Sequence, residues 1–122
     1  MATERFEVQH RPEDSRYVLV DHGEDGSDDK EIGEELYTDI DEDGKPERIL
    51  FHTAVSEEYA GQGLASDLVQ TVVDDVIAAG RAVVPVCPYV AKWLPRHPEY
   101  AANVVQPTKA HLDAVRAKSR PD

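Results

Sequence analysis

The chain has 122 residues and a formal net charge of −12, with 25 acidic and 13 basic residues. A chain of this size predicts one domain, residues 1–122, with a hydrophobic core of its own, and the acidic excess argues against nucleic-acid binding, which requires a basic surface. Its one cysteine, Cys87, excludes an internal disulfide framework and a cysteine-built zinc site, so no metal is expected.

Charge and hydropathy also bear on location and partners. No apolar run approaches the length of a membrane span, and the first residues lack a basic, then apolar, signal pattern. We therefore expect a cytoplasmic protein that does not contact a membrane. The acidic surface would attract a cationic acceptor such as an amine, although a solvated surface suited to high salt is the simpler explanation. The pattern indicates no particular oligomeric state.

Four short strands are predicted in the N-terminal half, at residues 6–10, 17–20, 32–40 and 48–55. The first alternates apolar and polar residues, while the second and fourth are rich in β-branched and other apolar residues. In the third, glutamates and Gly33 interrupt the apolar residues. An Asp43-Gly44 pair suits the positive φ angles of a tight hairpin. These strands are expected to form an antiparallel meander.

An amphipathic helix is the strongest local prediction. Its apolar residues share one face at a period of 3.6. They are Leu64, Leu68, Val69, Val72, Val73, Val76 and Ile77. Gly80 ends the helix in the C′ position, and residues 82–86 form a fifth strand. Strand, helix and strand make a βαβ unit, so strands four and five should be parallel.

Prolines shape the C-terminal third. Pro85 has no N–H to donate, so strand five should be unpaired on one side near this residue. Pro88 suits the first position of a short helix over 89–94. A final helix is predicted from Pro107 to about residue 118, with Leu112 and Val115 on its inner face. Residues 104–122 are expected to be a peripheral helix or tail.

A glycine-rich turn lies between strand four and the amphipathic helix. It reads Gly61-Gln62-Gly63-Leu64-Ala65-Ser66 and half-matches a dinucleotide-binding motif, but Val83 stands where the ribose-binding acid should be. A P-loop is excluded because no Gly-Lys-Ser/Thr follows. Free backbone N–H groups at a helix N-terminus can hold a phosphate. The alternative is a glycine-rich helix entry that binds no ligand.

With this turn, the order of elements resembles the GCN5-related N-acetyltransferase superfamily, whose acetyl-CoA motif is Arg/Gln-x-x-Gly-x-Gly/Ala. Gly63 and Ala65 occupy its small-residue positions, whereas Ala60 replaces the Arg or Gln. Downstream, residues 84–90 and 96–100 resemble the small YjdJ-type branch of that superfamily. The likeness extends over about residues 48–103 and implies an α/β (α+β) fold: a four-stranded antiparallel meander, then a βαβ unit with splayed parallel strands.

The resemblance implies acetyl-CoA as cosubstrate and an amine-bearing small molecule or a protein lysine as acceptor. It places the pyrophosphate on the amides of the glycine turn, and the pantetheine arm beside the freed edge of strand four. The implied cofactor-binding residues are Thr53, Ala54, Val55, Gly61, Gln62, Gly63, Leu64, Ala65, Ser66, Pro88, Tyr89 and Lys92. Two other functions remain open: a CoA-binding regulatory module without turnover, and a βαβ module that binds NAD or ATP.

Two reactive residues lie near the ends of strands four and five, where open α/β units bind ligands. His52 could take a proton from an incoming ammonium or thiol, and Cys87 could accept an acetyl group or protonate the departing thiolate. We expect them to converge on one point as the catalytic pair. A hydrogen-bonded core histidine and a buried apolar cysteine are the structural alternatives. Direct transfer and a cysteine-linked route both remain open.

Overall fold

The computed structural model describes residues 5–42 and 44–119. One sheet has the strand order β1-β2-β3-β4-β5, in which the first four strands pair antiparallel in sequence and β5 pairs parallel with β4. The strands are β1 Phe6–Arg11, β2 Arg16–Asp21, β3 Lys30–Glu42, β4 Lys45–Val55 and β5 Ala82–Pro85. The predicted meander followed by a βαβ unit is confirmed. Asp43 of the predicted hairpin turn lies outside the described residues.

Three α-helices accompany the sheet: α1 Leu64–Ala78, α2 Pro88–Trp93 and α3 Lys109–Ser119. Single 3-10 turns occur at Pro12–Asp14, Glu57–Tyr59, Leu94–Arg96 and Pro98–Asn103. Within the described part of the chain, no helix has the length and apolar character needed to cross a membrane.

The main core lies between α1 and one face of the sheet. The predicted apolar face of α1 is buried from Leu64 to Val76, and only Ile77 stays partly exposed. Each fully buried valine or leucine contributes about 1.5–3 kcal/mol to stability. A polar link supplements this packing, because the Tyr17 hydroxyl donates to Asp75 of α1 at 2.5 Å and accepts from Arg48 of β4 at 2.7 Å. The helix is thereby fixed relative to the strands that carry the site.

Side chains on β3 alternate between the two faces of the sheet. Glu35 is fully buried and Tyr37 is buried two residues further on, whereas Glu34 and Leu36 on either side of Glu35 are partly exposed. Successive strand residues point to opposite faces, so Glu35 belongs to the core face that α1 covers. The opposing register pairs Glu35 with Thr53 and Glu34 with Ala54 of β4.

The pairing of β4 with β5 ends early. Leu50 pairs with Pro85, and the N–H groups of Val86 and Cys87 both donate to the Leu50 carbonyl, at 3.0 and 2.9 Å. Beyond this point the described chain provides no partner for that edge of β4, although β4 runs on to Val55. The two parallel strands therefore separate where Pro85 predicts a break in pairing, and an edge of backbone is left open.

The final helix exists, and of the two residues predicted on its inner face Val115 is half-buried. Leu112 is largely exposed, and His111 is the buried residue of α3. The His111 ring lies against Glu47 of β4, with Nε2 2.7 Å from the carboxylate. A hydrogen bond to the sheet therefore orients this mostly polar helix, and α3 is docked on β4.

Candidate active site

A cavity of about 420 Å³ opens where β4 and β5 separate. Its walls are the free part of β4, the 3-10 turn after it, the glycine turn, the first turn of α1 and one residue of α2. The lining residues are Thr53, Ala54, Val55, Ser56, Glu57, Tyr59, Ala60, Gly61, Gly63, Leu64, Ala65, Ser66 and Tyr89. The structure thus gathers most of the predicted cofactor residues around one space. Gln62, Pro88 and Lys92 are exposed and do not line it.

The glycine turn presents its backbone N–H groups without partners. Gly61 and Gly63 have φ angles of 84° and 75°, in the left-handed region that favours glycine. The first helical hydrogen bond runs from Asp67 N–H to the Gly63 carbonyl. Among the described residues, none accepts a hydrogen bond from the backbone N–H groups of Gly61 to Ser66. Together with the positive end of the α1 dipole, these donors suit an anion.

Ala60 lines the same cavity in an extended conformation, with φ −61° and ψ 146°. Its methyl group cannot contact a phosphate in the way that an arginine or glutamine would. No lysine or arginine is among the described residues that line the cavity, whereas Glu57 is. An anion bound there would therefore contact main-chain N–H groups and hydroxyl groups rather than basic side chains of the cavity lining.

Two side-chain contacts fix the turn in place. On one side, the Tyr59 hydroxyl donates to Asp21, which also accepts from Arg5 at 2.8 Å and from the Gly23 N–H at 2.8 Å. The hydrogen bonds from Arg5 and Tyr59 hold the pKa of Asp21 well below its usual range. On the other side, the buried Trp93 of α2 donates its indole N–H to Ser66 Oγ at 2.9 Å.

The residues that follow α2 pack rather than face the cavity. The Trp93 ring stacks on His97 with 3.7 Å between centroids, and on Tyr100 at 5.8 Å. The Tyr100 hydroxyl donates to Asp74 of α1 at 2.7 Å. Tyr89 of α2, by contrast, lies at the cavity.

A polar chain lies beside the cavity at the end of β5. Cys87 is buried, and its Sγ lies 3.1 Å from Thr53 Oγ1. The Thr53 hydroxyl also forms a hydrogen bond with Glu35 Oε1. Burial raises the pKa of Glu35 to about 8, against partial opposition from the hydrogen bonds of Thr53 and the His52 backbone. The other carboxyl oxygen, Oε2, has no hydrogen-bond partner among the described residues.

Glu35 is a residue that the sequence analysis missed. A signal was available, because Glu35 lies two positions before Tyr37 and therefore on the same face of the strand. The neighbouring glutamates obscured this signal, because a solvent-exposed strand rich in acidic residues would have the same sequence.

His52 lies on the other face of β4. Its side chain is 50% exposed, and Nε2 lies 3.8 Å from Glu34 Oε2. Cys87 is on the α1 face with Thr53 and Glu35. The structure does not bring His52 and Cys87 together as expected, because adjacent residues of a strand point to opposite faces and Thr53 takes the position facing Cys87.

A second, more open hollow of about 320 Å³ begins on the far side of the free edge. Its lining includes Glu31, Glu34 and Arg16, and it shares Ala54, Val55 and Ser56 with the first cavity. The open edge of β4 is therefore reachable from both faces of the sheet.

A family model described as GCN5-related N-acetyl-transferase matches residues 16–104. This match extends over most of the chain, and the chain belongs to the GCN5-related N-acetyltransferase family. The family is one of acetyltransferases, so the chain is an acyltransferase by class. A comparison with curated proteins finds no match.

Comparison with solved structures finds similar chains, of which one has a TM-score above 0.5 and supports the fold. The solution structure of a GCN5-like protein from Staphylococcus aureus matches with a TM-score of 0.59 and 20% identity, over 89% of this chain and 97% of that one. An aminoglycoside acetyltransferase from an uncultured soil metagenomic sample matches with a TM-score of 0.46 and 16% identity, over 87% of this chain and 58% of that one. A Trypanosoma brucei acetyltransferase matches with a TM-score of 0.45 and 12% identity, over 92% of this chain and 66% of that one. At these identities the likeness concerns the fold alone.

Proposed function

We propose that the protein is an acetyl-CoA-dependent N-acetyltransferase that transfers the acetyl group to an amine. The observation that carries the proposal is one cavity bounded both by the unpartnered N–H groups of the Gly61–Ser66 segment and by the open edge of β4. A pyrophosphate needs the first wall, and the amide groups of a pantetheine arm need the second.

The main chain would do most of the binding and part of the catalysis. The amides of the glycine turn hold the pyrophosphate, and the edge from Thr53 to Val55 pairs with the pantetheine arm. A backbone N–H at this edge can also polarise the thioester carbonyl, as donors aimed at developing negative charge do in acyl transfer. Gln62, Pro88 and Lys92 would act from outside the cavity, where Lys92 can approach a phosphate.

His52 and Cys87 would serve the reaction from opposite faces of β4. We place the thioester on the Cys87 side, because Thr53 connects this thiol to the cavity. The acceptor amine would approach on the His52 side, over the second hollow, where the imidazole can take the ammonium proton. The acceptor is an amine-bearing small molecule or a protein lysine, since the hollow is open and its two glutamates outnumber Arg16, with which both form ion pairs.

Calorimetric titration with acetyl-CoA tests the first step. We expect one site per chain, with affinity in the micromolar range typical of cosubstrates, because the donors and the open strand edge are already arranged. The acceptor is then sought by incubating the protein with acetyl-CoA and a panel of amines and lysine peptides, and following thiol release. Absence of binding at millimolar acetyl-CoA would refute the proposal.

Two variants separate binding from turnover. Cys87→Ala and His52→Ala should each bind acetyl-CoA as the wild type does, because neither side chain lines the cavity, and each should transfer the acetyl group more slowly. A protein that binds the ligand but releases no thiol with any acceptor would be a binding module. Tighter binding of NAD or ATP than of CoA would indicate a nucleotide-binding βαβ unit.

Salt should strengthen CoA binding rather than weaken it. CoA is an anion, the chain carries a formal charge of −12, and no basic side chain lines the cavity within the described residues. Added salt screens the long-range repulsion, with a Debye length of about 10 Å at 0.1 M and about 3 Å at 1 M. We expect the dissociation constant to decrease as the KCl concentration is raised from about 0.1 to about 1 M. A steep increase would mean that lysine or arginine contacts dominate.

A further inference from the structure

We propose that Glu35 is a positioning residue of this acetyltransferase, which shares one proton with Cys87 through the Thr53 hydroxyl and so controls whether the sulfur is a thiol or a thiolate. The inference deepens the proposed function, because it names groups that prepare the site beside the acetyl-CoA cavity.

Burial is the first argument. Glu35 is 0% exposed, and its Oε2 has no hydrogen-bond partner among the described residues. An ionised carboxylate in such a place would lose its hydration, and the hydrogen bond from Thr53 to Oε1 replaces only part of it. With a pKa of about 8, the carboxyl group holds its proton at neutral pH. It therefore serves as a store for a proton rather than as a fixed negative charge.

Connectivity is the second argument. Thr53 Oγ1 lies within hydrogen-bond distance of both Glu35 Oε1 and Cys87 Sγ. A hydroxyl group donates one hydrogen bond and accepts others, so it can transmit a proton in either direction. Of the three hydrogen-bonded residues, Thr53 is the one that lines the cavity. The relay thus begins at a wall of the proposed acetyl-CoA site and ends in the core.

The surroundings leave few other groups to set the proton's position. Glu34 precedes Glu35 on the opposite face of β3, and the charge of Glu34 adds to the effect of burial on the pKa of Glu35. β4 contributes the Thr53 hydroxyl and the His52 N–H, and the segment before α2 contributes the Cys87 thiol. The α1 residues of the adjoining core cluster, from Leu64 to Val76, are apolar.

The step balances without an external reagent. Once Glu35 is ionised, above its pKa of about 8, the Cys87 S–H proton moves to Thr53 Oγ1 while the Thr53 hydroxyl proton moves to Glu35 Oε1. One S–H and one O–H bond break, two O–H bonds form, and the sulfur keeps the electron pair. The relay carries one negative charge before and after, so no charge enters the interior. In the reverse direction the same path returns a proton to the sulfur.

Alkylation of Cys87 by iodoacetamide, followed by intact mass, tests the proposal without CoA or turnover. Cys87 is the only cysteine, so each adduct reports this sulfur. Coupled groups titrate in two macroscopic steps. We expect the wild-type rate to rise in two steps between pH 6 and 11, and Glu35→Gln to give one step, about twofold faster on the first wild-type plateau because no proton is shared.

Matched variants complete the design. Glu34→Gln, the same change on the opposite face, should keep both steps. Thr53→Val should slow alkylation at pH 8 about tenfold, the loss expected for a hydrogen bond to a charged group, and Thr53→Ser should restore the wild-type rate. The Thr53 pair decides the question if Glu35→Gln does not fold, as judged by circular dichroism.

The proposal is overturned if wild type and Glu35→Gln have the same profile, or if Thr53→Val reacts like Thr53→Ser. Its failure is separable from that of the proposed function. A two-step profile in a protein that binds no acetyl-CoA would refute the function and leave the proton relay in place, whereas binding and transfer with a one-step profile would do the reverse.

Discussion

Gly63→Ala should weaken acetyl-CoA binding about tenfold to a hundredfold. Gly63 has a φ of 75° and precedes the first residue of α1. An L-residue pays about 1–2 kcal/mol in this region, and relieving the strain rotates the N–H groups that follow. Each charge-assisted hydrogen bond lost to the pyrophosphate costs about 1.5–3 kcal/mol, which corresponds to the predicted range. Isothermal titration calorimetry measures the change.

Gly26→Ala is the matched control. Gly26 has a φ of 79° and, like Gly63, open space where the Cβ would be placed. It lies in the acidic loop between β2 and β3, away from the cavity. Both variants should lose a similar amount of unfolding free energy, but only Gly63→Ala should lose affinity. Equal affinities for acetyl-CoA would mean that the glycine turn does not hold the ligand.

Local pattern was enough to predict the sheet and α1. The apolar face from Leu64 to Val76 repeats with the helical period, and the alternating or β-branched runs mark the strands. Pro85 also predicted the separation of β4 from β5, because a missing N–H is a local property. The error at α3 has a different origin. Its few apolar residues carry little burial energy, and the long-range hydrogen bond between His111 and Glu47 turns the face with His111 and Val115 inward and leaves Leu112 exposed.

The site was predictable only where its chemistry is local. The glycine turn is contiguous in sequence, so its open N–H groups follow from the residues themselves. The relation of Cys87 to Glu35 and Thr53 depends on the pairing of β3 with β4 and on the path of the chain after β5. A register shift beside Leu36 further obscures which β4 residues share a face with Leu50. These relations join residues far apart in sequence, and no local pattern contains them.

Glu35→Gln should make the protein more stable at neutral pH, and the gain should grow with pH. The pKa of Glu35 is raised from 4.5 to about 8 in the folded state because the carboxyl is buried. Between these values the folded chain holds a proton that the unfolded chain has released. Stability therefore falls as pH rises through this window and is fully retained only below it.

The size of the effect follows from linkage. One unit of pKa difference corresponds to about 1.4 kcal/mol, so the wild type should lose about 3 kcal/mol of unfolding free energy between pH 5 and 7.5 through Glu35. The amide introduced by Glu35→Gln is neutral at every pH and does not take part. The difference between variant and wild type removes the contributions of the other titrating groups, because both proteins contain them.

Urea unfolding at pH 5, 6, 7 and 7.5 measures that difference. Glu34→Gln serves as the control, because Glu34 is partly exposed and weakening its surface ion pair with Arg16 should change stability little. If the free energies of unfolding of wild type and Glu35→Gln change in parallel with pH, Glu35 ionises in the folded state as it does in the unfolded chain. A widening gap would show that the fold sacrifices stability at neutral pH to keep a protonated carboxyl group behind Thr53, which natural selection tolerates where a site needs it.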